Sequence, residues 1–91
     1  MRAFEIYLNG QKLCIAGVNE DESLTADVCH APGGAFLYVG GSTGTQGDHS
    51  KWINFKPLNV GDKVTIKIVE TNAIDDPVVV DRGRLKKTSD S

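Results

Sequence analysis

The segment VGGSTGTQGDHSKW, residues 39–52, concentrates side chains that can do chemistry: hydroxyls, a carboxylate, an imidazole and an indole among glycines. Closely spaced glycines can turn their backbone N–H groups toward an anion. A P-loop would also need a Gly-Lys-Ser/Thr sequence that opens a helix, and Lys51 instead precedes a strand-like segment. Two interpretations remain, a loose anion nest within residues 40–45 and a long flexible loop between two strands.

Metal binding would require several ligands that converge in space. The candidate ligands are spread along the chain: Cys14, Cys29, His30, Asp48 and His49. Neighbouring residues on a strand point to opposite faces, so Cys29 and His30 are poorly placed to share an ion. Asp48 and His49 have no third ligand near them in the sequence. We therefore expect neither a metal nor another cofactor.

The sequence contains residue types that act in catalysis, but their spacing does not match a catalytic motif. Asp48, His49 and Ser50 are adjacent in the sequence, whereas the members of a catalytic triad converge from separate elements. The chain has no Gly-x-Ser-x-Gly motif, and neither cysteine lies at a predicted helix start, where thiols become reactive. We therefore expect no catalytic residues, and an enzyme is the third of the functional hypotheses.

The elements that must position these residues are strands, because apolar residues recur almost everywhere with period two. Residues 3–9 place Phe4, Ile6 and Leu8 on one face, and Asn9-Gly10 then predicts a tight hairpin turn. Further strand-like segments are QKLCIAG, LTADVCHA, AFLYVGG, KWINFKP, DKVTIKIVET and a short VVVD. The pattern predicts an all-β domain, a small and mostly antiparallel β-sandwich or partly open barrel of six to seven strands.

Alternation also predicts which side chains face the core. They are Leu13 and Ile15 in the second strand, Leu24, Ala26 and Val28 in the third, and Val64, Ile66 and Ile68 in the last long strand. Reversals are expected at Pro32-Gly33-Gly34 and at Gly61. If residues 19–23 close a hairpin that pairs Ile15 with Val28, Cys14 lies opposite Cys29. In a reducing compartment both cysteines should be free thiols.

Length and composition predict one domain. The 91 residues are 40% hydrophobic and 24% charged, which is typical of a folded globular chain. We expect a single β-domain over residues 1–81 and a mobile basic and polar tail over residues 82–91. The net charge is −2, whereas nucleic-acid-binding proteins usually carry an excess of basic residues, so we expect no nucleic-acid partner. No run approaches the roughly 20 apolar residues that span a bilayer, and the alternating start does not look like a signal peptide, so we expect a cytoplasmic protein without a membrane partner.

Four segments carry a resemblance to known sequences: LNGQKLCIAGV, LYVGG, HSKW and LNVGDKVTIKIVE. Together they resemble a group of small bacterial proteins of similar length to which no activity is assigned. The resemblance extends over most of the chain up to Asp76. It implies a bacterial or phage single-domain protein and transfers no site residue.

The leading functional hypothesis is a non-enzymatic binding or interaction module, accessory or inhibitor-like, that acts through residues 40–52 and an exposed sheet face. Its expected contact residues are Tyr38, Gly40, Gly41, Ser42, Thr43, Asp48, His49 and Trp52. Tyr38 and Trp52 would be apolar anchors, and Asp48 and His49 would give polar specificity. The alternative is a small-ligand domain whose glycine-rich segment binds an anion or a sugar.

Tyr7 lies on the face of its strand opposite Phe4, Ile6 and Leu8. An exposed aromatic side chain there favours a homo-oligomer that covers it.

Overall fold

The computed structural model describes residues 1–43 and 48–81, and these form two antiparallel sheets. The strands are β1 (Arg2–Leu8), β2 (Gln11–Gly17), β3 (Ser23–Ala31), β4 (Gly34–Thr43), β5 (Asp48–Leu58), β6 (Val64–Glu70) and β7 (Val79–Asp81). One sheet has the order β2-β1-β6 and the other β3-β4-β5-β7. The predicted all-β, antiparallel fold of six to seven strands is confirmed, and the two sheets are not closed into a barrel. The predicted tail, residues 82–91, lies outside the described part of the chain.

Three turns have the local chemistry that the sequence predicts. Asn9 and Gly10 both have positive φ, 52° and 85°, as a two-residue hairpin turn between right-twisted strands requires. Pro32 and Gly33 connect β3 to β4, and Gly33 has a φ of 101°, which a proline-glycine turn needs at its second position. Gly61 has a φ of 97° in the turn before β6. These reversals fix the pairings that follow from them.

The turn before β6 is tied to the β1–β2 hairpin through Asp62. The Asp62 carboxylate accepts hydrogen bonds from the Asn59 backbone N–H at 2.8 Å and from Asn9 Nδ2 at 3.0 Å. These two hydrogen bonds hold the pKa of the Asp62 carboxyl below its usual range, and the bond from Asn59 has the larger effect. Asn9 Oδ1 in turn accepts from the Lys63 backbone N–H at 2.9 Å. The contacts lock β6 in register beside β1.

A β-bulge in β2 reverses part of the predicted face assignment. Tyr7 pairs with Lys12 but Ile6 pairs with Cys14, so Leu13 is an extra residue without a partner in β1. Beyond the bulge Cys14 and Ala16 face the core and are buried, while Leu13 is 36% exposed and Ile15 only half-buried. The prediction that Leu13 and Ile15 face inward is therefore wrong.

The hydrophobic core lies between β1 and β2 of one sheet and β4 and β5 of the other. Its buried residues are Ile6, Cys14, Ala16, Val18, Leu37, Val39 and Trp52. Leu24 and Ala26 of β3 pack against it as predicted, but Val28 is 51% exposed. On β6, Ile66 is 42% and Ile68 67% exposed. Both β3 and β6 are edge strands, and the opposite sheet leaves part of their inner faces uncovered.

The predicted hairpin between the second and third strands does not form. Strand β2 belongs to the three-stranded sheet and β3 to the four-stranded sheet, because the chain crosses from one layer to the other between Gly17 and Ser23. Cys14 and Cys29 are consequently not cross-strand neighbours, and both are free thiols. The described residues include no helix with the length and apolar character needed to cross a membrane.

Candidate functional site

The glycine-rich segment is mostly strand and not a long loop. Strand β4 continues to Thr43 and β5 begins at Asp48, and residues 44–47 between them lie outside the described chain. Gly40 pairs with Lys51 and Ser42 pairs with His49 in a regular antiparallel ladder. The prediction of a loop over residues 40–52 is therefore wrong. Most of these residues are held in a sheet, and their side chains point to defined faces.

Alternation along β4 divides the predicted site between the two faces of the four-stranded sheet. Leu37 and Val39 point into the core, so Tyr38, Gly40 and Ser42 lie on the outer face. Their cross-strand neighbours are polar: Asp27 opposite Tyr38, Thr25 opposite Gly40, Ser23 and His49 on either side of Ser42. The outer face thus carries a contiguous patch of hydroxyl, carboxylate and imidazole groups.

This patch is concave. A depression of about 310 Å³ is lined by Ser23, Thr25, Asp27, Tyr38, Gly40, Gly41, Ser42 and His49. We call it the outer-face depression. It brings together Tyr38, Gly40, Gly41, Ser42 and His49 of the predicted site, and it adds three residues of β3 that the sequence analysis missed.

Gly40 lies beneath the Tyr38 ring, at a position where no side chain fits. A Cβ atom at Gly40 would overlap the phenol of Tyr38 and would approach the Ser50 carbonyl oxygen to 2.9 Å. The Tyr38 side chain therefore lies back along its own strand over the glycine. The conclusion differs from the predicted anion nest, since Gly40 is needed for close packing in a strand and not for a flexible loop.

An aromatic pair borders the depression. The ring of Tyr38 lies 5.1 Å from that of Phe55, centroid to centroid, at an interplanar angle of 33°. Val39 pairs with Ile53 and Leu37 with Lys56, so β5 has an extra residue opposite Tyr38, and Phe55 takes the positive φ of 56° that such a bulge accommodates. Phe55 is 53% exposed. Together the two rings offer a partly exposed apolar surface beside polar groups.

Trp52 is not a surface anchor. It lies on the inner face of β5, is 6% exposed and belongs to the core cluster. Its indole Nε1 donates a hydrogen bond to the Asp75 carbonyl oxygen at 2.7 Å. The prediction that Trp52 contacts a partner is therefore wrong, because Trp52 is three residues from His49 and so points to the opposite face of the strand.

The two remaining predicted site residues lie at the ends of their strands. Thr43 pairs with Asp48 next to the residues outside the described chain, and Asp48 is half-buried. Asp48 is not among the described residues that line the outer-face depression. Across residues 1–43 and 48–81, no group of three or more His, Cys, Asp or Glu side chains could hold a metal ion.

Asp75 ties the segment after β6 to the edge of β2. The Asp75 backbone N–H donates to the Ile15 carbonyl oxygen at 2.9 Å, and the Ile15 N–H donates to Asp75 Oδ2 at 2.7 Å. Ile74 follows the same path and packs so closely over Gly17 that a Cβ there would lie 2.6 Å from Ile74 Cδ1. This segment thus covers the outer edge of β2 beside Cys14.

The Cys14 thiol should be unreactive in the folded protein. Burial, and secondarily the negative charge of Asp75, raise the pKa of the Cys14 thiol to about 11. Because the thiolate is the nucleophile, we expect N-ethylmaleimide at pH 8 to modify Cys29 and to leave Cys14 unmodified until the protein unfolds. Peptide mass spectrometry measures both sites. Equal modification of the two thiols in the folded state would contradict the burial of Cys14.

The same pKa predicts a loss of stability in alkali. The pKa of the Cys14 thiol is about 11 in the folded protein and near 9 when the chain is unfolded. The contribution of the protonated thiol to the free energy of unfolding is therefore fully present below pH 9 and is lost as the pH rises through about 11. Urea melts at pH 8 and 10.5 should show a decrease that Cys14→Ala reduces.

The outer-face depression is formed by three consecutive strands of one sheet, β3, β4 and β5. Comparisons of the chain with protein-family models, with curated proteins and with solved structures find no match.

Proposed function

We propose that the protein is a non-enzymatic binding module and that the outer-face depression is its binding surface. The observation that carries the proposal is the convergence of Tyr38, His49 and Asp27, from three different strands, on one concave face where Gly40 makes room for the Tyr38 ring. The residues are held by strands, which position contact groups more rigidly than a loop would. The leading partner is another protein.

A protein partner suits the dimensions of the site. A volume of about 310 Å³ lies at the lower limit of small-molecule pockets, and an open site of that size accepts one protruding side chain. Tyrosine is enriched among residues that dominate protein interfaces, since its ring provides apolar contact and its hydroxyl bonds at the rim. Tyr38 with Phe55 is the apolar anchor in this proposal, and Asp27 and His49 give polar specificity.

A sugar is the second candidate ligand, and the chemistry of the lining favours it over an anion. The side chains around Tyr38 include the hydroxyls of Ser23, Thr25 and Ser42, which can donate and accept hydrogen bonds. The Asp27 carboxylate repels an anion but accepts bonds from sugar hydroxyls. An aromatic ring beside such groups can stack on the C–H face of a sugar ring.

The test is a titration of ¹⁵N-labelled protein with neutral mono- and oligosaccharides and, separately, with inorganic phosphate, beside affinity capture from a bacterial lysate. We expect saturable binding that Tyr38→Ala and Asp27→Ala weaken at least tenfold. Tyr7→Ala is the matched control, because Tyr7 is also half-buried but lies in the other sheet, where its hydroxyl donates to Glu5 Oε1 at 2.7 Å. A ligand or partner that binds both Tyr38→Ala and Asp27→Ala as well as the wild type would move the binding surface elsewhere.

The proposal includes a cytoplasmic bacterial or phage setting and an accessory or inhibitor-like role. The free thiols of Cys14 and Cys29 support a reducing compartment. The resemblance of four segments to small bacterial proteins supports the origin.

A further inference from the structure

Within residues 1–43 and 48–81, no strand pairs with the outer edge of β6. The Asn9 N–H donates to the Lys63 carbonyl, and the Thr71 N–H donates to the Met1 carbonyl, so the odd-numbered residues of β6 are those that bond to β1. In an antiparallel ladder the intervening residues direct their N–H and C=O groups the other way. Val64, Ile66 and Ile68 therefore present backbone donors and acceptors outward, and no described strand pairs with them.

The side chains at this edge are also uncovered. Ile66 pairs with Ile6 and Ile68 with Phe4, so both belong to the inner face, yet they are 42% and 67% exposed. Natural edge strands are usually protected by proline, a bulge, an inward-pointing charge or a covering segment. The sequence VTIKIVE has no proline, its pairing with β1 is regular, and its single lysine points to the outer face. Its one charged residue on the inner face, Glu70, is the last residue of the strand and pairs with the N-terminal ammonium group.

We propose that β6 pairs antiparallel with β6 of a second copy of this chain, about a twofold axis at Ile66. In this register Ile66 lies opposite the partner's Ile66, and Val64 lies opposite the partner's Ile68. These are the residues with free backbone groups, so each pair exchanges two hydrogen bonds. The two three-stranded sheets become one sheet of six strands, with its apolar inner row continuous across the axis.

Within β6, charge disfavours the registers with the axis at Lys67 or at Ile68. A twofold axis at Lys67 would place two lysines directly opposite each other, which destabilises a strand pair. An axis at Ile68 would place Ile66 opposite the partner's Glu70, and the Glu70 carboxylate already binds the N-terminal ammonium group at 2.9 Å. With the axis at Ile66, Lys67 faces the partner's Thr65. The pairing also covers an apolar surface in a domain whose large, fully buried side chains are Ile6, Leu37 and Val39.

Oligomeric state is the first test. We expect the full chain to be a dimer by sedimentation velocity and by light scattering, and Ile66→Lys to be a monomer at the same concentration. Val60→Lys is the matched control: the same replacement at a fully exposed valine in the turn before β6, which should remain a dimer. A dispersed ¹H–¹⁵N spectrum of Ile66→Lys shows that the variant is folded. A monomeric wild type, or a dimer that persists in folded Ile66→Lys, overturns the proposal.

Disulfide trapping tests the register. Across a hydrogen-bonded pair the two Cα atoms lie about 5.5 Å apart, a span that a disulfide bridges. We expect Ile66→Cys to form an interchain disulfide under mild oxidation, and Val60→Cys and the wild type not to do so. Faster trapping of Lys67→Cys than of Ile66→Cys would overturn the register. Since β6 is in the opposite sheet from the outer-face depression, ligand binding by Ile66→Lys reports on the binding surface separately.

Discussion

Replacement of Trp52 by alanine is expected to lower the free energy of unfolding by about 3–5 kcal/mol, because a large buried side chain is lost and a cavity remains. Trp52 is 6% exposed and contacts the core from β5. Its Nε1 also holds the Asp75 carbonyl, so the substitution should loosen the segment that covers the edge of β2. Urea unfolding followed by far-ultraviolet circular dichroism measures the change.

Two variants separate the contributions of Trp52. Trp52→Phe keeps much of the apolar volume and removes the donor to Asp75, so we expect an intermediate loss of stability. Phe55→Ala removes an aromatic ring that is 53% exposed, and its cost should remain below about 1.5 kcal/mol. If Trp52→Ala and Phe55→Ala were equally mild, the indole would not be part of the core.

Gly41→Ala is expected to destabilise the protein by about 1–3 kcal/mol through overpacking. The new Cβ would overlap the Ser23 backbone carbonyl oxygen and lie 3.1 Å from Val18 Cγ1. A backbone atom in a paired strand cannot move without separating β3 from β4. Thermal and urea unfolding measure the loss.

Gly17→Ala is the matched control for Gly41→Ala, since it adds the same methyl group at another strand glycine that lies against a neighbouring segment. The closest atom there is Ile74 Cδ1 at 2.6 Å, the end of a flexible side chain that can rotate away. We expect Gly17→Ala to cost less than Gly41→Ala. The reverse order would mean that β3 yields more easily than the segment containing Ile74.

Turn chemistry was the most predictable part of the fold, because it depends on residues adjacent in the sequence. The Asn9-Gly10, Pro32-Gly33 and Gly61 reversals are all confirmed. The second of them also contained information that the sequence analysis did not use. A two-residue turn at Pro32-Gly33 fixes the β3–β4 register, and that register places Asp27 beside Tyr38 and Thr25 beside Gly40. The β3 side of the outer-face depression could thus have been found from the turn.

Other features depend on contacts between distant segments, and alternation alone does not encode them. The bulge at Leu13 shifts the buried face of β2 by one residue, so an otherwise correct strand had the wrong core residues. The glycines at 40 and 41 indicated a loop because glycine has a low strand propensity, but Tyr38 and Ser23 approach too closely for any side chain there. The crossing between β2 and β3 was read as a hairpin, since a short polar connection can join either paired strands or opposite layers.

The hydrogen bonds between Asp75 and Ile15 have a consequence for assembly. They occupy an N–H and a C=O group on the free side of β2, so this edge of the three-stranded sheet is capped at Ile15, while no described strand pairs with the β6 edge. A sheet with a single open edge can add only one neighbour, and in a twofold pair each copy uses up the open edge of the other. In the proposed dimer, strand addition to the three-stranded sheet therefore ends at the β6 pair, because the Asp75 contacts cap the other edge of that sheet.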